Sequence, residues 1–438
     1  MSILIVLGLL YLAADGDKQV YIEAVYAEDL GEQLEEELLQ TAELNMPDLD
    51  IEEPVFSKDL LFVEDPWAAP PELDISVDAT TSTSEIEAPS IGIALTGREK
   101  GAKEALLGAY GGTATTEGAV QLGLAWLAKQ QDVRTGLWSL SGPYSNGGQA
   151  ENKLAATAMA LLAFQGAGNT HKSGKYKRAV QRGVDALVRM QDDDGNFFKQ
   201  GPYHHRLYSQ AQATIVVCEL YGMTKDEKYR RPAQKALGYA TWSQSPMLGG
   251  WRYIPRKESD TSVTGWFVMA FMSGKMAGLE VPSPTLDAIS KYLDRVTTDG
   301  AIYSYQPGKP PVKKPPTMTA EGLLCRQYLG WERDDPRMRQ GVKCLLQNPV
   351  DYADVNPYYW YYATQVLHHI GGEEWDEWNL TMRERIPAQQ VKQGPEGGSW
   401  SPTGDKLWGH HGGRLYSTCL SIYNLEVYYR HLPIYQHH

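Results

Sequence analysis

Cysteine is scarce in this sequence, four residues in 438. That excludes a disulfide-stapled scaffold. Long apolar runs are missing too: none reaches the roughly 18–20 residues of a full membrane span. The 42 glycines and 25 prolines are too few for a collagen-like or low-complexity chain. Basic charge is outweighed, 41 Lys and Arg against 54 Asp and Glu. A net charge of −13 speaks against a phosphate backbone as partner, so no nucleic acid is expected. Phenylalanine is sparse at 7, whereas tyrosine (26) and tryptophan (12) are plentiful. The length allows one large domain or two to three smaller ones.

The negative charge is concentrated. Residues 28–90 hold 19 acidic residues and one basic one, Lys58, for a net −18, which leaves the remainder at +5. So little apolar surface beside so much charge cannot offset chain entropy, and the stretch reads as a disordered acidic linker. Before it, Ile3 to Ala14 is an apolar run that suits a leader or the remnant of a membrane anchor. Together they predict export or tethering at the cell envelope, with a cytoplasmic chain as the alternative. Residues 91–118 form a lead-in.

From about Ala119 two kinds of segment alternate. Amphipathic, charged ones cover 119–130, 176–191, 229–244, 285–296, 338–347 and 373–389. Segments apolar or aromatic nearly all round cover 153–165, 208–221, 262–276, 317–329, 358–370 and 416–430. A helix apolar on every side must be buried on every side, so the second set should be inner helices and the first an outer ring. Gly166, Gly222, Gly278, Gly330 and Gly371 are expected to close the inner helices in the left-handed C′ conformation. Asp260, Thr317 and Asn356 before Pro357 are expected as N-caps.

The loop after each charged helix repeats as well. Gln131 precedes Gly136-Leu137-Trp138, Gln191 precedes Gly195-Asn196-Phe197, Gln244 precedes Gly250-Trp251, and Gln393 precedes Gly398-Ser399-Trp400. Gly300-Ala301-Ile302 is a weaker copy, and a missing one falls near Tyr352. A period of about 50 residues with two helices per unit gives six helical hairpins. The expected fold is therefore all-α, a single (α/α)6 toroid over residues 119–432. These Gln…Gly-x-Trp loops resemble the repeat of the squalene cyclase and protein prenyltransferase superfamily, whose folds are toroids of this type.

The resemblance allows two catalytic sets to be compared. Glu258 to Trp266 resembles the squalene–hopene cyclase segment carrying a DxDD motif before Thr. With Thr264 aligned, Asp260 takes the first Asp, while Ser262 stands where the proton-donating Asp belongs and Val263 where the last one belongs. Near the C-terminus, His410 to Cys419 resembles the last inner helix of prenyltransferase β subunits, but Ser417 stands where the zinc-binding His belongs. Neither a metal nor a cofactor is expected. Paired histidines at 204–205, 368–369 and 410–411 read as turns, and Asp192-Asp193-Asp194-Gly195 as an ordinary Asp-Gly turn.

Asp260 and Glu321, at inner-helix starts, are the candidate catalytic carboxyls; Glu151 and Glu219 are further acidic candidates. Trp266, Tyr208, Trp360, Tyr361 and Tyr416, with His410, His411 and Arg414, are the candidate lining of a ligand cavity. The four cysteines, 218, 325, 344 and 419, read as buried free thiols. The sequence thus favours a toroid without standard cyclase activity that binds an apolar or glycan ligand, or a protein partner. The alternatives are a terpenoid-type enzyme with an altered acid and a polysaccharide-active enzyme with paired carboxylates.

Overall fold

A computed structural model describes residues 95–435; the leader at 1–14 and the acidic stretch at 28–90 lie outside the described residues. Fourteen helices are found among the described residues, with one two-residue-per-strand hairpin pairing Thr297–Thr298 with Ile302–Tyr303. The inner set is α3 (Lys153–Gly166), α5 (Arg206–Thr224), α7 (Thr261–Met276), α9 (Thr317–Tyr328), α11 (Pro357–Ile370) and α13 (Gly409–Leu425). The outer set is α2 (Ala114–Lys129), α4 (Lys177–Met190), α6 (Glu227–Ser243), α8 (Ser283–Val296), α10 (Pro336–Leu346) and α12 (Gly372–Ala388). Each inner helix packs on the next, and α13 packs back on α3, so the ring is closed: an all-α toroid of six hairpins.

Burial follows from composition. From Thr261 to Gly274 every residue of α7 is buried, because helices flank it on all sides. In α4 only Ala179, Val180, Gly183, Val184, Ala186 and Leu187 are buried, an i, i+3/i+4 stripe facing inward. Each inner helix pairs with the outer helix that follows it, and α2, first in the chain, completes the last hairpin against α13. The ring begins earlier than expected, at Ala114, where Thr113 and Thr116 form a capping box. The lead-in also packs on the ring: the turn Thr96–Arg98 and α1 (Lys100–Ala109) lie against α14 (Val427–Arg430).

The repeated loops are hydrogen-bond devices. The Gln131 side-chain amide donates to Gly136 O of its own loop (2.9 Å) and to Ala179 O of the next outer helix (3.0 Å). Gln244 does the same toward Gly249 and Thr285. The aromatic anchor then ties the loop to both helices. Trp251 donates its indole N–H to Ala240 O of α6 (2.9 Å) and its backbone N–H to Thr264 Oγ1 of α7 (3.1 Å).

Three expectations about these loops are corrected. The last repeat glutamine is Gln390, which reaches Gly398 O (2.9 Å) and Ala119 O of α2 (2.8 Å), closing the ring; Gln393 is exposed. The fourth anchor is Tyr303, whose N–H goes to Thr319 Oγ1, and not Ile302. In the fifth repeat the inner helix supplies the anchor: the Tyr359 hydroxyl donates to Leu345 O (3.1 Å) and Asn348 O (3.0 Å) at the end of α10. Gln390→Ala should therefore lower stability by about 1–3 kcal/mol, and Gln393→Ala by less than about 0.5, in denaturant unfolding.

Helix ends also differ from expectation at two glycines. Gly278, Gly330 and Gly371 have positive φ. Gly166 and Gly222 do not, and Gly168 and Lys225 take the left-handed position instead. A Cβ on Gly166 would lie 2.0 Å from Glu426 Oε2, so this glycine serves close packing around a buried carboxylate. Thr317 is the first residue of α9 and not its cap, which is Pro316. Asn356 and Asp260 do cap their helices.

Candidate functional site

Asp260 sits where the third loop enters α7. Its Oδ1 accepts the Val263 backbone N–H (2.7 Å) and its Oδ2 accepts the Tyr305 hydroxyl (2.9 Å), with Arg252 Nε 3.5 Å away. The carboxyl is wholly buried, and burial outweighs these partners, raising its pKa to about 7. Tyr305 in turn pairs with the Tyr253 hydroxyl (2.8 Å). A chain of hydroxyls thus runs from half-buried Tyr253 to the acid.

Glu321 lies on the first turns of α9, equally buried. It rests on Gly265 of α7, where a Cβ would come within 2.2 Å of Oε1. Any side chain there would displace the carboxyl. Tyr358 and Tyr362 stand near enough to lower its pKa, yet neither oxygen has a hydrogen-bond partner among the described residues. Burial therefore dominates, reinforced by the Asp260 charge, and holds the group well above the ordinary carboxylate range. Its protonated form is thereby favoured.

A polar and aromatic cluster faces it. Tyr358 Oη is shared by Ser262 Oγ (2.6 Å), Trp266 Nε1 (3.0 Å) and Tyr362 Oη (3.2 Å). The Trp266 ring stacks on Tyr361 at 5.8 Å. Half-buried Tyr208 lies within the field of Asp260, Tyr305 and Tyr358, and Tyr416 within that of Tyr358. Ser262 is thus a hydrogen-bond partner of Tyr358, and the neighbouring inner helix places the Glu321 carboxyl against Gly265, one turn on.

The structure brings Asp260, Glu321, Trp266, Tyr208, Tyr361 and Tyr416 into one region and leaves three other candidates outside it. Trp360 packs on Tyr352 instead (5.0 Å). Arg414 stitches loop to loop, binding Ser145 O, Ser399 Oγ and Asn146 Oδ1, each at 2.9 Å. His410 is exposed, its ring 4.0 Å from that of His411. His411 does share a rim with His204 and His205: burial, then His204 and His411, lower the His205 pKa to about 4. His368 and His369 are far removed, packed with Trp375 and Tyr328. Among the described residues no three His, Cys, Asp or Glu side chains are grouped to hold a metal ion. No helix among them is long and apolar enough to cross a membrane.

The other carboxylates are committed elsewhere. Glu151 accepts the Ser139 hydroxyl and the Leu140 N–H. Glu219 belongs to a buried ion cluster, accepting from Arg98 at 2.6 Å. The four cysteines are free; three are buried, and Cys344 is half-buried.

Tyr253 and Tyr305 were not among the expected site residues; Tyr358 and Tyr362 belong to the aromatic run 358–362, which was expected to turn some of its rings into the barrel and from which the candidate lining took Trp360 and Tyr361. Tyr253 and Tyr305 each fall two residues after an anchor, Trp251 and Tyr303. Placing the fourth anchor at 303 would have exposed that signal.

The sequence matches no protein-family model and no curated protein. Among solved structures, similarity is found to a variant of the type II terpene cyclase MstE from Scytonema in complex with geranylgeranyl dihydroxybenzoate. The identity is 14% and the TM-score 0.48, covering 72% of this chain and 97% of that one. An inactive variant of an α-1,6-mannanase from Salegentibacter, in complex with α-1,6-mannotriose, shares 9% identity with a TM-score of 0.49, covering 72% of this chain and 99% of that one. A protein from Actinoplanes shares 14% identity with a TM-score of 0.44, covering 72% and 98%.

Proposed function

We propose that the toroid, a squalene-cyclase/prenyltransferase-like repeat protein, binds a small apolar or glycan ligand in the tyrosine-lined part of its inner barrel. It does so without the standard acid of alkene cyclisation. The observation that carries this reading is the Glu321 carboxyl, fully buried with both oxygens unpartnered among the described residues. An unmade hydrogen bond at a buried polar group costs about 1–3 kcal/mol. A ligand hydroxyl or ether oxygen would supply the partner, and the Trp266, Tyr358 and Tyr361 rings would take its apolar remainder. As part of the same proposal, the chain works at the cell envelope, exported or tethered through its N-terminal apolar run.

One observation favours a second reading, an enzyme with an altered acid. Asp260, with a pKa of about 7, is linked through Tyr305 to Tyr253. That gives an acid protonated in part at neutral pH, beside aromatic rings, with a route for its reprotonation.

Glu321→Leu tests the first reading. Glu321 has a folded pKa above its unfolded one, so its share of stability is complete below about pH 4.5 and is lost as pH rises. The variant should therefore be more stable than wild type, with the gap widening as pH rises from 5 to 8. Farnesol and mannotriose serve as probes in ligand-observed NMR. At least one should bind wild type and bind Glu321→Leu about tenfold more weakly. Binding of neither, or binding untouched by the substitution, would overturn the reading. Turnover by wild type that is lost in Asp260→Asn, with binding kept, would establish the enzyme instead.

A further inference from the structure

The fifth repeat differs from the others in a way that leaves a space. Loops one, three and six each bury a tryptophan whose indole N–H ties the loop to its outer helix. In the fifth, Tyr359 makes that bond from the inner helix, and the loop between α10 and α11 buries no tryptophan. A cavity of about 200 Å³ lies there, between hairpins five and six and apart from Asp260 and Glu321.

We infer that this cavity is a binding site for an uncharged, hexose-sized sugar ring. Its lining is of two kinds. Tyr352, Pro357 and Trp400 give it apolar walls, and Ser401, Thr403, Ser417 and Ser421 give it four hydroxyls. No Asp, Glu, Lys, Arg or His of the described residues lines it, so a charged guest has no counter-ion. Ser417 is 2% exposed, and its Oγ has no partner among the described residues. The adjacent Thr418 makes the structural bond to the Trp400 N–H, so Ser417 is not needed for that anchor. Ser421, one helical turn on, lines the same cavity.

Size and chemistry choose the guest. A dry cavity of about 150 Å³ is known to admit a benzene ring. About 200 Å³ therefore suits one six-membered ring with its substituents. A purely apolar ring would leave Ser417 unpaired. A pyranose presents a C–H face to Tyr352 and Trp400, and hydroxyls that both donate to and accept from the serines.

The test uses the full chain with D-glucose and D-mannose as probes and cyclohexanol as a control. Saturation-transfer NMR should show one of the hexoses binding with a Kd of about 1–10 mM, and cyclohexanol at least about tenfold more weakly. Ser417→Ala, which removes only the hydroxyl, should weaken the hexose about tenfold. Ser401→Ala, on the exposed rim, should weaken it in the same direction and serves if Ser417→Ala fails to fold. No hexose binding at about 50 mM would overturn the inference. So would cyclohexanol binding equally well, or affinity unchanged in both serine variants.

Discussion

Arg98→Ala is expected to destabilise the fold by about 3–5 kcal/mol, although residue 98 precedes the ring itself. Arg98 donates to Glu219 Oε2 at 2.6 Å and to Arg430 O at 3.3 Å. Arg430 lies 3.7 Å from the same Glu219 oxygen and donates to Glu426 Oε2 at 3.0 Å and to Leu162 O at 2.7 Å. All four side chains are buried. Burial alone would push the Glu219 carboxyl up, but Arg98 and Arg430 more than offset it and hold the group below its ordinary value. Removing one guanidinium leaves the Glu219 carboxylate with Arg430 alone, which it shares with the Glu426 carboxyl, a group that burial raises to about 8. Breaking a buried pair is far more damaging than replacing it whole. Arg98→Met with Glu219→Gln should therefore lose much less than the sum of the two single changes in denaturant unfolding. Equal or additive losses would show that Arg98 acts only by filling space.

Trp251→Ala is expected to lower stability by about 3–5 kcal/mol, and Trp251→Phe by only about 1. The indole is fully buried, stacked 4.7 Å from Phe267 and near Phe271. Alanine removes both rings and leaves a cavity that two packed helices cannot close. Phenylalanine keeps one ring and forfeits the N–H donated to Ala240 O, but Ser243 Oγ still donates to that carbonyl at 3.0 Å. Chemical unfolding of the two variants reads the difference directly. A small effect of the alanine change would mean that the loop anchors seal the surface without holding outer and inner helices together.

Much of this architecture was legible as periodicity. Six all-round apolar segments alternating with six amphipathic ones left few options, because burial on every side requires neighbours on every side. Register within the loops was less legible. Gln390 and Gln393 are both glutamines a few residues before Gly398, and only the carbonyls of Ala119 and Gly398 distinguish them. The fifth anchor was invisible because it moved from loop to helix: Tyr359 is one of four tyrosines in a run of five aromatic residues, and composition does not say which hydroxyl meets α10. Glycine gave a similar ambiguity. Gly278 is needed for its positive φ and Gly166 for the absence of a Cβ, and a sequence shows the same letter for both.

By itself, then, the sequence determined the helical toroid and its repeat of about 50 residues, and it drew attention to Asp260 and Glu321 at inner-helix starts. Hydrophobic pattern and period are local properties, and they survive without coordinates. Only the tertiary structure decided what surrounds those carboxyls. Asp260 draws its hydrogen bond from Tyr305, 45 residues on, and Glu321 stands near Tyr358 and Tyr362 of the next inner helix. Whether a buried acid is capped, paired or left without a partner depends on groups remote in sequence that closure of the ring brings together. Its pKa is set there, by dielectric and by neighbours.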